Sequence, residues 1–511
     1  MSPVLIRIAA VACLAIVMIA EAGRLGADDA GRRPAPDLEG LRSRIAAVVG
    51  APRFAGATWG ISVVSLESGA TIFATNAARP LIPASNVKLF TAALALDRLG
   101  PEHRVRTSLL AAGLPDAAGS LHGDLTVYGR GDPTFVAGIP GSPWERAVAS
   151  LADRAIAAGI RRIEGDLVAD ESYFRGLTVP PGWDPEDLPY AYAAPVSALS
   201  LNDNSVALDV TPGPAVGQPA GLNATPALDF AIPRNRVRTG ASTDEVRVTF
   251  GRDDAFTLWA GGTIPAGAAR VREKLSMPQP ARWFGETLRM ALQRRGVTVK
   301  GGVQTKSAVA AGAAVESPRS ELGFVESPPL RAMLAPMLKS SQNLHAELLL
   351  RQVGARESLA GAPTSEAVAL VAMRDLCRRA GIGTAGTVLV DGSGLSRGNR
   401  LTADALVALL RYMDRHPQAA VFREGLPLAG IDGTLTKRFV GTAAERNVRA
   451  KTGYLTGVAA LSGYLTTAAG ERLAFAVLLN DPAPPPGSRS AREELDEMVV
   501  RLAEISWRGP S

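Results

Sequence analysis

The feature that most limits what this chain can fold into is a change of texture along its length. Up to Gly100, and again from about Pro280, apolar residues recur largely at helical spacing. From about residue 105 to 280 they fall instead in short alternating runs broken by Gly and Pro, such as Val206-Ala207-Leu208-Asp209-Val210 and Val246-Arg247-Val248-Thr249-Phe250. A period of two marks strands, so a β-rich excursion interrupts a helix-bearing chain. With 511 residues, against a prior of roughly 150 per domain, about three structural units are expected.

The flanks read in more detail. Asp37 can cap a helix with Leu38, Leu41, Ile45 and Val48 on one face, ended by Gly50. Trp59, Ile61 and Val63 then predict a strand that turns at Glu67-Ser68-Gly69 and returns through Thr71 to Ala74. A helix starts near Ser85 and runs through Leu89, Ala92, Leu94 and Leu96 to Gly100. Another is expected from about Pro280 to Arg295, and a long helical stretch runs from Pro328 through Leu350. Ala459–Thr466 and Leu473–Asn480 predict a hairpin, and a last amphipathic helix carries Leu495, Met498, Val499, Leu502 and Ile505. Gly123-Asp124-Leu125 and Gly165-Asp166-Leu167 echo one another too weakly to count as a repeat.

Arg7 precedes an apolar run from Ile8 to Ala20, and Ala20-Glu21-Ala22 has the form of a cleavage site, so residues 1–22 are expected to be a secretory signal. The run of 13 apolar residues falls short of the roughly 20 needed to span a bilayer. An exported protein, periplasmic or otherwise extracytoplasmic and soluble or loosely membrane-associated after cleavage, is the expectation. Cys13 lies within that segment, which leaves Cys377 alone, so no internal disulfide forms in the mature chain. Cys377 sits in a helical pattern and reads as a core residue. The net charge of +6 is spread over scattered arginines without interleaved aromatics, which disfavours nucleic acid as a partner.

Three short motifs carry polar groups of the kind that acyl transfer requires. In Ser85-Asn86-Val87-Lys88 a helix places the Lys88 amine on the face of the Ser85 hydroxyl, where it can take the proton. The helix start also leaves N–H groups free beside a developing oxyanion. In Ser341-Gln342-Asn343 a hydroxyl can relay a proton, and the Asn343 amide can hold a substrate carbonyl and the lysine together. In Lys451-Thr452-Gly453, at a strand start, Lys451 offers a fixed positive charge and Thr452 a hydroxyl for a terminal carboxylate. Gly453 keeps the edge open for a peptide to lie alongside. A charge on Lys451 would press Lys88 toward its neutral form. Each motif alone is commonplace: S-x-x-K arises by chance, S-x-N caps helices and K-T-G makes turns. Together they are specific, because the chain has only seven lysines and two stand where the chemistry needs one.

On these motifs, and on Pro83–Thr91, Asp391-Gly392-Ser393-Gly394-Leu395-Ser396-Arg397 and Leu426–Leu435, the sequence resembles the low-molecular-mass class C penicillin-binding proteins, the D-alanyl-D-alanine carboxypeptidase/endopeptidase family. Ser341 follows Ser85 by 256 positions, far more than a compact β-lactamase leaves there. The resemblance implies an α/β (α+β) transpeptidase-like, β-lactamase-like domain, discontinuous over 23–104 and 282–511. A mostly β insert over 105–281 would form two smaller domains, the inner one at about 128–200. It implies a serine-type carboxypeptidase that also cuts D,D cross-links, with Ser85 as nucleophile, Lys88 as base, Ser341 and Asn343 as proton relay, and Lys451 and Thr452 as carboxylate binders. Peptidoglycan stem peptides would be substrates and β-lactams covalent inhibitors, with no cofactor.

Tyr454 departs from the family, which usually places Ser or Thr after Lys-Thr-Gly; its N–H can still complete an oxyanion hole with that of Ser85. Arg397 is expected on the stem-peptide side of the cleft, an ordinary structural arginine being the equal alternative. A Ser/His/Asp hydrolase is disfavoured by the lack of a G-x-S-x-G elbow, and His103, His122, His345 and His416 lie at no metal-ligand spacing. A β-lactamase, or a non-catalytic wall-binding module that keeps the fold, are the competing readings.

Overall fold

The computed structural model describes residues 38–135, 144–227, 233–253, 257–308, 319–357, 362–483 and 489–508. The expected signal segment, Cys13 and the cap at Asp37 lie outside them.

The two ends of the chain meet in one antiparallel sheet. Its strands are β1 (Thr58–Ser65), β2 (Thr71–Thr75), β3 (Arg449–Leu455), β4 (Val458–Thr466) and β5 (Arg472–Asn480), in the order β3-β4-β5-β1-β2. β1 and β5 pair from Thr58 opposite Asn480 to Ser65 opposite Leu473, although some four hundred positions separate them in sequence. Around the sheet stand α1 (Leu38–Val49), α2 (Val87–Leu99), α3 (Leu330–Lys339), α4 (Asn343–Arg356), α5 (Ser365–Arg379), α6 (Ala403–Asp414), α7 (Ala419–Gly425) and α8 (Ala491–Glu504).

β1 alternates in sequence, yet both its faces are covered. Trp59, Ile61 and Val63 pack with α1 and α8 through Leu41, Ile45, Leu495 and Val499. Val64, on the opposite face, joins a core with α2 and α6 through Phe90, Leu94, Leu406 and Leu410. On that second face β1 also carries Gly60, where a Cβ would stand 2.7 Å from Leu81, so the small residues mark close packing rather than solvent. α2 is buried along most of its length, as its nearly unbroken apolar run requires.

The excursion contains two sheet systems. The outer one is a mixed sheet in the order Val303–Lys306, Leu167–Asp170, Leu125–Tyr128, Arg106–Ala111, Ser320–Glu326. The helices Trp144–Ala157 and Pro280–Gln293 pack on it through Leu151, Ala155, Phe284 and Leu288. Nested within its sequence, residues 205–276 form two three-stranded sheets. Strand pairing therefore divides the excursion differently from the expected boundaries. It extends past 281 to Glu326, because its edge strands come from the far side of the Pro280–Gln293 helix, and the inner unit begins at 205 rather than spanning 128–200. The helix at 144–157 escaped the sequence reading because its buried face is largely alanine.

The weak echo at residues 123–125 and 165–167 also has a structural cause. Leu125 and Leu167 are register partners in adjacent parallel strands, and the Asp124 carboxylate accepts from the Asp166 N–H at 2.7 Å. The same entrance geometry recurs one strand over, where Asp166 accepts from the Gly302 N–H at 2.8 Å.

Candidate active site

Ser85 lies in a single 3-10 turn, Ala84–Asn86, which leads into α2. Ala84 has φ +47°, a left-handed conformation that a residue with a Cβ adopts only where packing enforces it. That packing comes from two glycines. A Cβ on Gly453 of β3 would sit 2.7 Å from the Pro83 carbonyl and 2.8 Å from Asn86 Nδ2, and one on Gly394 would sit 2.0 Å from the Ala84 carbonyl. Gly453 is thus required by the turn that carries Ser85, a different reason from the open peptide edge expected of it.

The helical stretch expected from Pro328 through Leu350 is broken at the second motif. α3 ends at Lys339, Ser341 takes φ +60°, and α4 starts at Asn343. No side-chain cap forms at Gln342; the Ser341 hydroxyl accepts instead from Lys451 Nζ at 2.8 Å. The structure thereby brings all three motifs into one cleft.

At its centre the Lys88 amine donates to Ser85 Oγ at 2.8 Å, to Asn343 Oδ1 at 2.6 Å and to the Ser393 carbonyl at 2.7 Å. Asn343 Nδ2 donates to the Tyr192 carbonyl at 2.8 Å, which fixes the amide so that its oxygen faces the lysine. Lys88 is fully buried, and that burial pulls its pKa down to about 7 against the opposing pull of Asp391 and Glu347. Burial, rather than the neighbouring Lys451, is therefore the cause of its near-neutral poise.

Lys451 is buried as well and donates to Ser341 Oγ and the Thr452 carbonyl, both at 2.8 Å. Burial first, and the charge of Lys88 second, hold its amine well below the ordinary lysine range. Thr452 Oγ1 is paired at 2.9 Å with Thr434 Oγ1, which the Leu426–Leu435 loop delivers. Asp432 of that loop is anchored by Lys339 at 2.5 Å and accepts from the Leu428 N–H.

Tyr454 is 67% exposed at the rim, and Arg397 donates to the Thr456 carbonyl at 2.5 Å on the far side of the cleft. That side is lined by Asp184, Glu186, Asp187, Tyr192 and Arg397; the other holds Thr434, Thr452, Arg438 and Arg492; Ser85, Ser341 and Tyr454 border both. Cys377 is buried away from the cleft, and its thiol is pushed up to about 11 by burial, which leaves it inert.

The residues that sequence reasoning missed lie beneath Lys88. Glu347 accepts from the N–H groups of Gly392 and Ser393, and the carbonyls of those residues accept hydrogen bonds from Thr91 and Lys88 respectively. Asp391 accepts from Gly394 N, Ser396 N, Asn399 Nδ2 and, from the excursion, Trp183 Nε1. The Asp391–Arg397 segment is therefore a loop folded around two buried carboxylates to aim one carbonyl at the base. One signal was present in the sequence: Asn343, Glu347 and Arg351 stand four apart on α4, a polar stripe on one face of the helix.

A family model described as D-Ala-D-Ala carboxypeptidase 3 (S13) matches residues 41–504. The chain is 38% identical over 492 residues to a D-alanyl-D-alanine carboxypeptidase of an Actinomadura species, covering 94% of this chain and 87% of that protein. It is 30% identical over 437 residues to a carboxypeptidase of Mycobacterium tuberculosis, covering 83% and 75% respectively. Among solved structures, penicillin binding protein 4 of Haemophilus influenzae superposes with a TM-score of 0.77 at 24% identity, covering 90% of this chain and 97% of that one. At that identity the likeness establishes the shared fold.

Proposed function

The chain belongs to the D-Ala-D-Ala carboxypeptidase 3 (S13) family and is a serine-type D-alanyl-D-alanine carboxypeptidase; from that premise we propose that Ser85 is its nucleophile and Lys88 its general base. The observation that carries this reading is the set of partners around Lys88. A neutral amine has two N–H groups and one lone pair. Asn343 Oδ1 and the Ser393 carbonyl can only accept, so they take the two N–H groups and leave the lone pair for the Ser85 hydroxyl.

In acylation the Ser85 oxygen bonds to the penultimate D-alanyl carbonyl carbon as its proton passes to Lys88. The tetrahedral oxyanion is met by the N–H groups of Ser85 and Tyr454, each such donor being worth roughly 3 kcal/mol in comparable sites. The C–N bond then breaks as the leaving nitrogen is protonated by Ser341, whose hydroxyl touches Lys451 and relays the proton that Lys88 took from Ser85, so that Lys88 is again a free base and Ser341 again a hydroxyl. Lys451 and the Thr452–Thr434 hydroxyl pair bind the substrate's terminal carboxylate. Water, activated by Lys88, finally frees Ser85.

Peptidoglycan stem peptides are the proposed substrates, with Arg397 on the stem-peptide side, and a cleft open on both sides of Ser85 supports D,D-endopeptidase action on cross-links as well. β-Lactams present a strained acyl group and a carboxylate in the same relation, which supports covalent inhibition at Ser85. The apolar run at Ile8–Ala20 supports export; among the described residues no helix is long and apolar enough to cross a membrane. The test is Ser85→Ala: labelling by a fluorescent penicillin and release of D-alanine from a pentapeptide are both expected to vanish. Undiminished release would refute the assignment.

A further inference from the structure

The side of the cleft that receives the leaving group is built for more than D-alanine. Beyond Ser85 and Tyr454 it opens into a basin lined by Thr434, Arg438, Ala459, Ala460, Arg492 and Leu495, and this whole side of the cleft, Ser85 and Thr452 included, has a volume of about 290 Å³. D-Alanine, with a single methyl side chain, occupies only the part next to Thr452. The two arginines differ in state. Arg438 is committed to Asp496, with both carboxylate oxygens at 3.0 Å from its Nε. Among the described residues Arg492 makes no side-chain ion pair, and its guanidinium lies 5.5 Å from the centre of the Tyr454 ring.

Tyr454 is itself one of the most exposed aromatic side chains among the described residues, and it stands where the family usually has a small hydroxyl residue. An aromatic rim under an unpaired guanidinium forms a platform that pre-orients the cation toward the basin. The opposite side of Ser85 carries Asp184, Glu186 and Asp187 against Arg397, so acidic groups outnumber basic ones there and the balance of charge reverses across the nucleophile. Such polarity favours a substrate that is cationic on its acyl side and anionic on its leaving side.

We infer that this basin is a leaving-group subsite for cross-linked wall peptide, in which Arg492, held over Tyr454, binds a second anionic group beyond the carboxylate next to the scissile nitrogen. The inference rests on the proposed endopeptidase reading and makes the side chains of Arg492 and Tyr454 determinants of the leaving group, distinct from the groups that perform acyl transfer, which include the Tyr454 backbone N–H.

The experiment compares two substrates, a soluble pentapeptide that releases D-alanine and a purified cross-linked muropeptide dimer, with wild type, Arg492→Ala, Arg492→Lys and Arg492→Glu. Penicillin acylation serves as the check that each variant is folded. The ratio of kcat/KM for dimer opening to that for D-alanine release is expected to fall at least tenfold in Arg492→Ala, further in Arg492→Glu and least in Arg492→Lys. In the wild type, raising salt should lower the same ratio, because a rim charge is screened. A ratio equal to wild type in all three variants, or wild type failing to open the dimer, overturns the inference. If wild type neither binds penicillin nor releases D-alanine, the Ser85 reading fails instead.

Discussion

Two opposing effects meet at the Lys88 amine. Burial favours the neutral form, while the carboxylates of Asp391 and Glu347 favour the ammonium, and the balance is a pKa of about 7. A base works only when unprotonated, so kcat/KM for acylation should climb about tenfold per pH unit below that value and level off above it. The check is a pH profile of penicillin acylation under pseudo-first-order conditions. Lys88→Arg, which keeps the charge but cannot lose its proton, should be inactive across the range. Glu347 gives a second, separable outcome. Its own pKa is raised to about 8 by burial and then by Asp391. At that value Glu347 is mostly protonated over the pH range in which Lys88 titrates, so Glu347→Gln, which retains an oxygen for the Gly392 and Ser393 N–H groups, should leave the acid limb close to its wild-type position. Glu347→Ala strands two buried N–H groups and should depress acylation at every pH. An acid limb displaced well to lower pH in Glu347→Gln would show instead that the glutamate is ionised beside the ammonium.

At the level of elements, the nucleophile's turn is pressed between β3 and the Gly394 corner, so glycines far from the chemistry in sequence control its placement. Gly453→Ala would put a Cβ 2.7 Å from the Pro83 carbonyl and push the turn outward. Displacement of a reacting group by about 1 Å costs on the order of a hundredfold in rate. Penicillin acylation should fall by about that factor while the far-ultraviolet circular dichroism stays that of the wild type; acylation at the wild-type rate would show that the turn tolerates the side chain. These same elements show what the sequence could disclose. The terminal hairpin, α2 and the helix at 280–293 were legible because each is a local periodic pattern, and the three motifs were legible because their chemistry demands convergence. The helix that opens at the second motif was legible from the polar run Lys339–Asn343, but the left-handed backbone of Ser341 was not, since a single such residue leaves no periodic trace. Ser393 was equally hidden, because it acts through a backbone carbonyl that every residue possesses. The edge strands at 303–306 and 320–326 were misassigned because sheet membership is decided by non-local pairing.

For the molecule as a whole, the excursion is stitched to the catalytic unit along α4, the helix that carries Asn343. Arg351 donates to the Leu177 carbonyl and pairs with Glu366 of α5, Gln352 donates to the Gly131 carbonyl, and His345 meets Asp203 at 2.9 Å. Leu344 and Leu348 share an apolar cluster with Phe174, Trp183 and Val196 of the excursion. The Asn343 amide itself is oriented by Tyr192, and Trp183 donates to Asp391 beneath Lys88, so the excursion reaches the catalytic centre through hydrogen bonds as well. Loosening this seam should therefore cost stability and acylation together. Arg351→Met leaves the Glu366 carboxylate, whose pKa burial already raises, without its partner. Breaking a buried pair in this way costs about 3–5 kcal/mol. Urea unfolding should show a lower midpoint, and penicillin acylation measured well below that midpoint should be slower, because the Tyr192 carbonyl no longer holds Asn343 in register. Arg351→Met combined with Glu366→Leu removes the stranded charge and should recover most of the lost stability without restoring the contact to Leu177. If the seam were passive, Arg351→Met would shift the midpoint and leave the acylation rate of the folded protein where it was.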